Sequence, residues 1–199
     1  SDLQTRGFSQ MELVDTLKRK ALNGGEITRD EAIALSSAPL GKLAAAADEI
    51  RTKMCGNGFD ICTIINGKCG KCSEDCKYCA QSAHYHTDCA ESYPLLSTDE
   101  ILNEAKYNAE RGVLRYSIVT SGKRLSDAEV NHVCESIKAV REKVGIEVCV
   151  SFGLLEESAF RKIKEAGASR VHCNLETSER YFPQICTTHT YQDKIDTRS

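Results

Sequence analysis

The stretch Cys72-Ser-Glu-Asp-Cys76-Lys-Tyr-Cys79 places three cysteines at spacing C-x3-C-x2-C, just downstream of Asp60–Asn66 (DICTIIN). The upstream segment is short, rich in β-branched residues and flanked by Gly58 and Gly67, so it reads as a buried strand. Thiolates are soft ligands, and a close set of them suits an iron–sulfur cluster or zinc. A four-iron cubane held by three cysteines keeps one iron without a protein ligand. That iron is available for chemistry, as the open position of a catalytic zinc site is. Cys69 stands three residues earlier, so the run is also C-x2-C-x3-C-x2-C. Four thiolates can close a cluster, as in ferredoxins, or hold a structural zinc. Against zinc, paired C-x2-C motifs lie ~15–20 residues apart, and three intervening residues are too few. Against the ferredoxin run, the spacing differs and Cys79 is followed by Ala80 rather than Pro. The open three-cysteine cluster is favoured, with the closed cluster and zinc as alternatives.

Outward from the loop, strand and helix signals alternate. Ser97-Thr-Asp-Glu100 is a capping box that opens a helix to Arg111, with Gly112 past its end. Val113–Val119 reads as a strand and is followed by Thr120-Ser121-Gly122-Lys123. Ser126-Asp-Ala-Glu129 caps a helix to about Lys143. Gly145–Phe152 is a strand, Glu156–Ala166 a helix stopped by Gly167, and Arg170–Leu175 a strand; a last capped helix begins near Thr190. This order calls for a parallel sheet with helices outside it, an α/β fold of TIM-barrel type. In such barrels reactive groups sit on loops at the C-terminal ends of strands. Cys72–Cys79, Thr120–Lys123, Ser151–Gly153, and Asn174 with Glu176 all fall there. A (β/α)8 barrel typically needs ~250 residues. Only four units are present, so the expectation is a fragment, or half of a barrel whose remainder lies elsewhere.

Upstream, residues 1–10 lack a starting Met and show no pattern, as a processed or frayed end would. Met11–Leu22 carries apolar residues at helical spacing and is stopped by Gly24-Gly25. Thr28-Arg-Asp-Glu31 opens a short helix to about Leu35, and Pro39 starts a third through about Met54, with Gly56 beyond. The expected organisation is an N-terminal helical cover over residues 1–56 and the first half of the barrel over 57–199.

With 199 residues, 28% charged and 41% hydrophobic, and a net charge of −3, the composition is that of an ordinary globular protein. It carries no basic footprint for nucleic acid. No apolar run approaches the ~20 residues of a membrane span, and no signal-peptide pattern opens the chain. Eleven cysteines, four of them within eleven residues, fit a metal site in a reducing cytoplasm better than disulfides.

Cys72–Gln81 (CSEDCKYCAQ) followed by Ser82-Ala83-His84-Tyr85 resembles the cluster loop of the biotin synthase family of radical S-adenosylmethionine enzymes. Ile64–Lys68, Asn174–Ser178 and Ile185–Thr197 (ICTTHTYQDKIDT) fit the same family. The likeness runs from about Arg51 to the end of the chain. C-x3-C-x2-C alone would indicate only the superfamily; the ordered set indicates this branch.

The resemblance implies that Cys72, Cys76 and Cys79 hold a [4Fe-4S] cluster whose fourth iron binds S-adenosylmethionine. Cleavage of that cofactor would give a 5′-deoxyadenosyl radical. Tyr78 would pack near the adenine; as a bare residue it is a loop-packing tyrosine. Thr120, Ser121 and Gly122 occupy the place where relatives contact the methionine amino group; otherwise they form an ordinary turn. Asn174 and Glu176, read as alternate residues of a strand end, resemble a ribose-binding pair; otherwise they are solvated. A second, sulfur-donating [2Fe-2S] cluster is implied, with Cys149 at one ligand position and Ser117 where a cysteine is expected. As a bare residue, Cys149 is a small buried hydrophobe. Cys69, Cys173 and Cys186 are spare thiols for a differently built cluster, to which His172 or His189 could contribute, whereas Cys55, Cys62, Cys89 and Cys134 pack or face solvent. The implied activity is sulfur insertion into dethiobiotin, with a flavodoxin- or ferredoxin-type electron donor and a homodimer. The alternatives are a related radical enzyme with another substrate, of hydrogenase-maturase or methylornithine-synthase type, and a closed-cluster electron-transfer or structural module.

Overall fold

A computed structural model describes residues 9–87 and 91–198. The chain divides into two compact units, Ser1–Phe59 and Asp60–Ser199. In the first, α1 (Gln10–Leu22), α2 (Arg29–Leu35) and α3 (Leu40–Cys55) follow the helical signals of the sequence. The helical pattern begins earlier than Met11: Ser9 and Glu12 form a capping box, each satisfying a backbone N–H of the other. Of the patternless residues 1–10, residues 1–8 lie outside the described residues. Leu13, Val14, Leu17 and Ala46 are the buried apolar contacts of this unit. Ion pairs Lys18–Glu49 at 2.7 Å and Lys42–Asp15 at 2.8 Å flank them.

The second unit is a four-stranded parallel sheet in the order β1-β2-β3-β4, with β1 Cys62–Lys68, β2 Arg115–Thr120, β3 Glu147–Ser151 and β4 Ala168–Val171. α4 (Thr98–Ala109), α5 (Asp127–Lys143) and α6 (Glu157–Glu165) alternate with the strands. Parallel strands need such crossovers, because their ends lie at opposite edges. Tyr116, Ile118, Val148 and Val150 face the helices and meet Ile101, Val133, Ile137, Val140 and Ile163, all fully buried. The opposite face carries Ile64, Ser117, Cys149 and Arg170 in one row. The result is the α/β partial barrel that the element order calls for.

All four strands differ from their expected bounds, β2 and β3 by only one or two residues at each end. β1 starts and ends two residues later than 60–66, and the ladder passes over Gly67, where a Cβ would stand 3.0 Å from Ile118 Cγ2. The register shifts between Asn66 and Lys68, where a strand glycine marks a bulge. β4 stops at Val171 rather than Leu175. Its last ladder partner is Val150, and β3 then turns away through Gly153 (φ 75°). Downstream, Phe182–Ile185 forms a short helix, α7, that the sequence pattern does not announce, and Tyr191–Arg198 forms α8. Thr190 caps α8 reciprocally with Asp193, as the capping signal predicts.

Candidate metal centre and cofactor site

The cysteine loop leaves the C-terminal end of β1 through Gly70 (φ 74°) and Lys71 (φ 49°). A Cβ on Gly70 would stand 3.0 Å from Ser92 Cβ, a tight approach at a left-handed φ that favours glycine. The loop is stapled by the residues that follow it. The Cys72 N–H donates to the Gln81 carbonyl at 3.0 Å, and the Ala83 N–H donates to the Cys72 carbonyl at 2.8 Å. Ser82 Oγ donates to the Glu74 carbonyl at 2.6 Å, and Tyr85 Oη to the Asp75 carbonyl at 2.8 Å. Gln81, Ser82, Ala83 and Tyr85 thus shape the loop, and Cys72, Cys76 and Cys79 are left half-exposed.

The C-terminal segment clasps the same loop. Asp75 Oδ1 accepts from the Thr187 N–H at 2.8 Å and the Thr188 N–H at 3.2 Å, and its other oxygen accepts from the Thr187 hydroxyl. The Lys77 N–H donates to the Ile185 carbonyl at 3.0 Å. These bonds from Thr187 and Thr188 hold the Asp75 carboxyl well below its ordinary range. Beneath them Glu74 Oε2 lies 2.6 Å from His189 Nδ1, with both side chains buried. Burial alone would raise the Glu74 carboxyl, but hydrogen bonds from Thr188, His189 and Ser73 keep it ionised and below its usual value. Glu74, Asp75, Cys186 and His189 form this contact. Sequence reasoning left the first two without a role and the last two as spare groups. Glu74 and Asp75 lie inside the cysteine motif, but their partners are more than a hundred residues away.

The three loop thiols do not gather as the ligands of a single ion would. Among the described residues, the ligand trio drawn within 4.8 Å of one another is two thiols and an imidazole, those of Cys76, Cys186 and His189, and not Cys72, Cys76 and Cys79. One tetrahedral zinc brings its sulfurs to about 3.8 Å from one another, given Zn–S bonds of ~2.3 Å. The three loop thiols are not gathered in this way. Burial, and then the neighbouring Cys186, push the Cys76 thiol up to about 12, so bound cations are what would keep this set ionised. Cys69 is buried and bridged to Tyr93 through two backbone bonds of 3.1 and 3.2 Å.

Around the loop, Tyr78 is half-exposed. Desolvation, then the Cys76 thiol and the Glu176 carboxylate, push its phenol above the ordinary range. Thr120 ends β2 opposite Lys68. Ser121 is buried and turned toward the loop rather than outward: its hydroxyl donates to the Gly70 carbonyl at 2.9 Å, and its N–H to the Lys68 carbonyl at 2.9 Å. Gly122 has φ 110°, and a Cβ there would meet the Arg124 carbonyl oxygen at 3.8 Å, an ordinary contact. Asn174 and Glu176 lie beyond β4, and Glu176 is left-handed (φ 67°), so strand alternation does not set their facing. Cys149 is fully buried on the sheet face away from the helices. Burial raises its thiol, while the Arg115 and Arg170 guanidiniums pull it down and Cys62 adds to the rise. Cys62 therefore shares this face with Cys149, and Ser117 is the lateral neighbour of Cys149 on β2. Cys173 and His172 follow β4, and the His172 N–H donates to the Val150 carbonyl at 2.8 Å. Cys55 is exposed and Cys134 buried, while Cys89 lies outside the described residues.

A family model described as the Radical SAM superfamily matches residues 68–197. Biotin synthase 2 of Corynebacterium diphtheriae is 53% identical over 187 residues, which are 94% of this chain and 57% of that protein. Biotin synthase of Akkermansia muciniphila is 56% identical over 187 residues, 94% of this chain and 58% of that protein. The chain thus spans a little over half the length of these curated relatives. Among solved structures, methylornithine synthase superposes with a TM-score of 0.73 at 20% identity, over 92% of this chain and 54% of that one. HydG, a maturase of the [FeFe]-hydrogenase, gives 0.70 at 17%, over 95% and 45%. At those identities the structural likeness speaks to the fold alone.

Proposed function

Since the chain belongs to the radical S-adenosylmethionine superfamily, we propose that it serves biotin synthesis, inserting sulfur into dethiobiotin. The observation that carries this reading is the stapled C-x3-C-x2-C loop at the C-terminal end of β1, held against the end of β2 by Ser121. Identities of 53% and 56% with proteins named biotin synthase support the substrate.

Cys72, Cys76 and Cys79 would hold a [4Fe-4S] cluster, and S-adenosylmethionine would bind beside them. When bound, the pair would supply a 5′-deoxyadenosyl radical, the reduced cluster giving up the one electron that cleaves the cofactor to that radical and methionine, chemistry that belongs to the cofactors. The chain's own work is placement. Thr120 and Gly122 bring polar backbone to the cofactor's methionine end, and Ser121 fixes that turn against Gly70. Asn174 and Glu176 offer an amide and a carboxylate to the ribose hydroxyls. Tyr78 offers a ring to the adenine and shields the cluster from water. On the face away from the helices, Cys149 and Cys62 offer thiols, and Arg115 and Arg170 offer positive charge, to a second, sulfur-donating cluster. A flavodoxin- or ferredoxin-type protein would deliver electrons, and the working unit would be a homodimer. A second reading keeps the radical chemistry but changes the substrate; it rests on buried Ser117, where a ligating cysteine was expected.

The test is electron paramagnetic resonance of the anaerobically reconstituted, dithionite-reduced chain, with and without S-adenosylmethionine. A cluster signal that shifts with the cofactor is expected, and it should vanish in Cys72→Ala, Cys76→Ala and Cys79→Ala. An unshifted signal that depends on Cys69 would mean a closed cluster and sink the proposal. Conversion of dethiobiotin to biotin, assayed on a chain of the relatives' full length, separates the two substrate readings.

A further inference from the structure

Cys186 and His189 belong neither to the cysteine loop nor to a strand end. They come from the segment between α7 and α8 that closes on the loop. The Cys76 and Cys186 sulfurs stand 3.8 Å apart. Cys186 Sγ lies 3.3 Å from Nδ1 and 3.9 Å from Nε2 of His189. Two sulfurs on one tetrahedral ion stand about 3.8 Å apart, and a sulfur and a nitrogen about 3.6 Å, given bonds of ~2.3 and ~2.0 Å. The sulfur–sulfur separation matches a shared ion, and the free Nε2 lies a few tenths of an ångström beyond that distance from Cys186. Thiolates on different irons of a cubane stand farther apart, so Cys186 is not placed as a further ligand of a cluster held by Cys76.

The surroundings are built for a ligating histidine. Cys186 and His189 are 3% and 8% exposed, so the site is screened from bulk water. Glu74, also buried, engages His189 Nδ1 at 2.6 Å and leaves Nε2 free for a metal. A carboxylate behind a histidine fixes its tautomer and raises its basicity as a ligand. The Phe182 ring packs edge-on against His189 at 5.6 Å and holds its plane. Cys76 is half-exposed, which provides the entry path.

We propose that the cluster-free chain binds one divalent ion of the zinc(II) class through Cys76, Cys186 and His189, with Glu74 orienting the histidine. The ion and the iron–sulfur cluster exclude each other, because both require the Cys76 sulfur. The ion-filled form is a closed state of the loop that cluster assembly must displace. The exclusion rests on the cluster reading given above; the ion site stands on its own geometry.

Cobalt(II) titration of the metal-free, reduced chain tests the site. One equivalent should give thiolate-to-cobalt charge-transfer and tetrahedral d–d bands, and zinc(II) should abolish them. Cys186→Ser and His189→Ala should lose the bands, Glu74→Gln should weaken binding by about 10–100-fold, and Cys72→Ala and Cys79→Ala should bind as the parent does. Bands that follow Cys72 and Cys79, or that survive Cys186→Ser, overturn the proposal. If the substituted chains do not fold, X-ray absorption of the cobalt-loaded parent decides: two sulfurs with nitrogen or oxygen support the site, three sulfurs refute it. Prior zinc loading should also cut the yield of cluster reconstitution in the parent. If no cluster forms even without zinc, the cluster reading fails while the cobalt result still judges the ion site.

Discussion

Asp75 joins two segments that lie more than a hundred residues apart, through a single carboxylate that accepts from Thr187 and Thr188. Its folded-state pKa is depressed below the ordinary 3.8. Its stabilising contribution is therefore fully present above that ordinary value and is lost only as pH falls through the lower, folded one. Hydrogen exchange at the Thr187 amide should stay slow down to a pH below the usual aspartate range. In Asp75→Ala it should be fast at every pH; slow exchange in that variant would remove the clasp from the account. Glu176 is the other residue whose geometry invites a test. A left-handed backbone costs a non-glycine residue about 1–2 kcal/mol, which the surrounding loop must offset. Under the proposed ribose contact, Glu176→Gln removes a charged acceptor worth ~1.5–3 kcal/mol and should weaken S-adenosylmethionine binding by about 10–100-fold. Calorimetry on the cluster-loaded protein reads this directly, and an unchanged Kd would return Glu176 to the solvent.

The crossing of the β2 and β3 loops is set by one glycine. A Cβ on Gly153 would fall 2.2 Å from the Lys123 carbonyl oxygen, at φ 75°. Gly153→Ala therefore meets both a backbone clash and left-handed strain. It should cost at least ~2 kcal/mol in urea unfolding, from overpacking and conformation together. Gly112→Ala, at φ 81° with nothing within 4 Å, is the control and should show the conformational part alone. In β2, the Tyr116 hydroxyl is buried without a hydrogen-bond partner. An orphaned buried polar group is unfavourable, so Tyr116→Phe should raise stability by about 1 kcal/mol. Strands and helices of this kind are legible because their signals are local. Serine at 97 and 126 with glutamate three residues on gave both helix starts, and Ser9–Glu12 repeats the device. The end of β4 was not legible, because it depends on where β3 stops offering partners.

At the scale of the molecule, the two units meet in sequence at the exposed run Gly56–Phe59. We expect limited proteolysis there to release a fragment beginning near Asp60 with its cysteine loop intact, as mass spectrometry would show; cleavage inside the cysteine loop first would contradict this division. The sequence alone determined the alternation of strands and helices, the parallel sheet, and the cysteine motif at the end of the first strand. Periodicity, caps and short-range ligand spacing are encoded within a dozen residues. Tertiary structure alone decided that Ser121 serves the loop, that Cys62 shares a face with Cys149, and that Glu74 meets His189. It also brought Cys186 to within 3.8 Å of Cys76. Those contacts join residues far apart in the chain, and they exist only because the sheet sets its strand ends side by side and the segment from Phe182 to Thr190 folds back over the loop after β1.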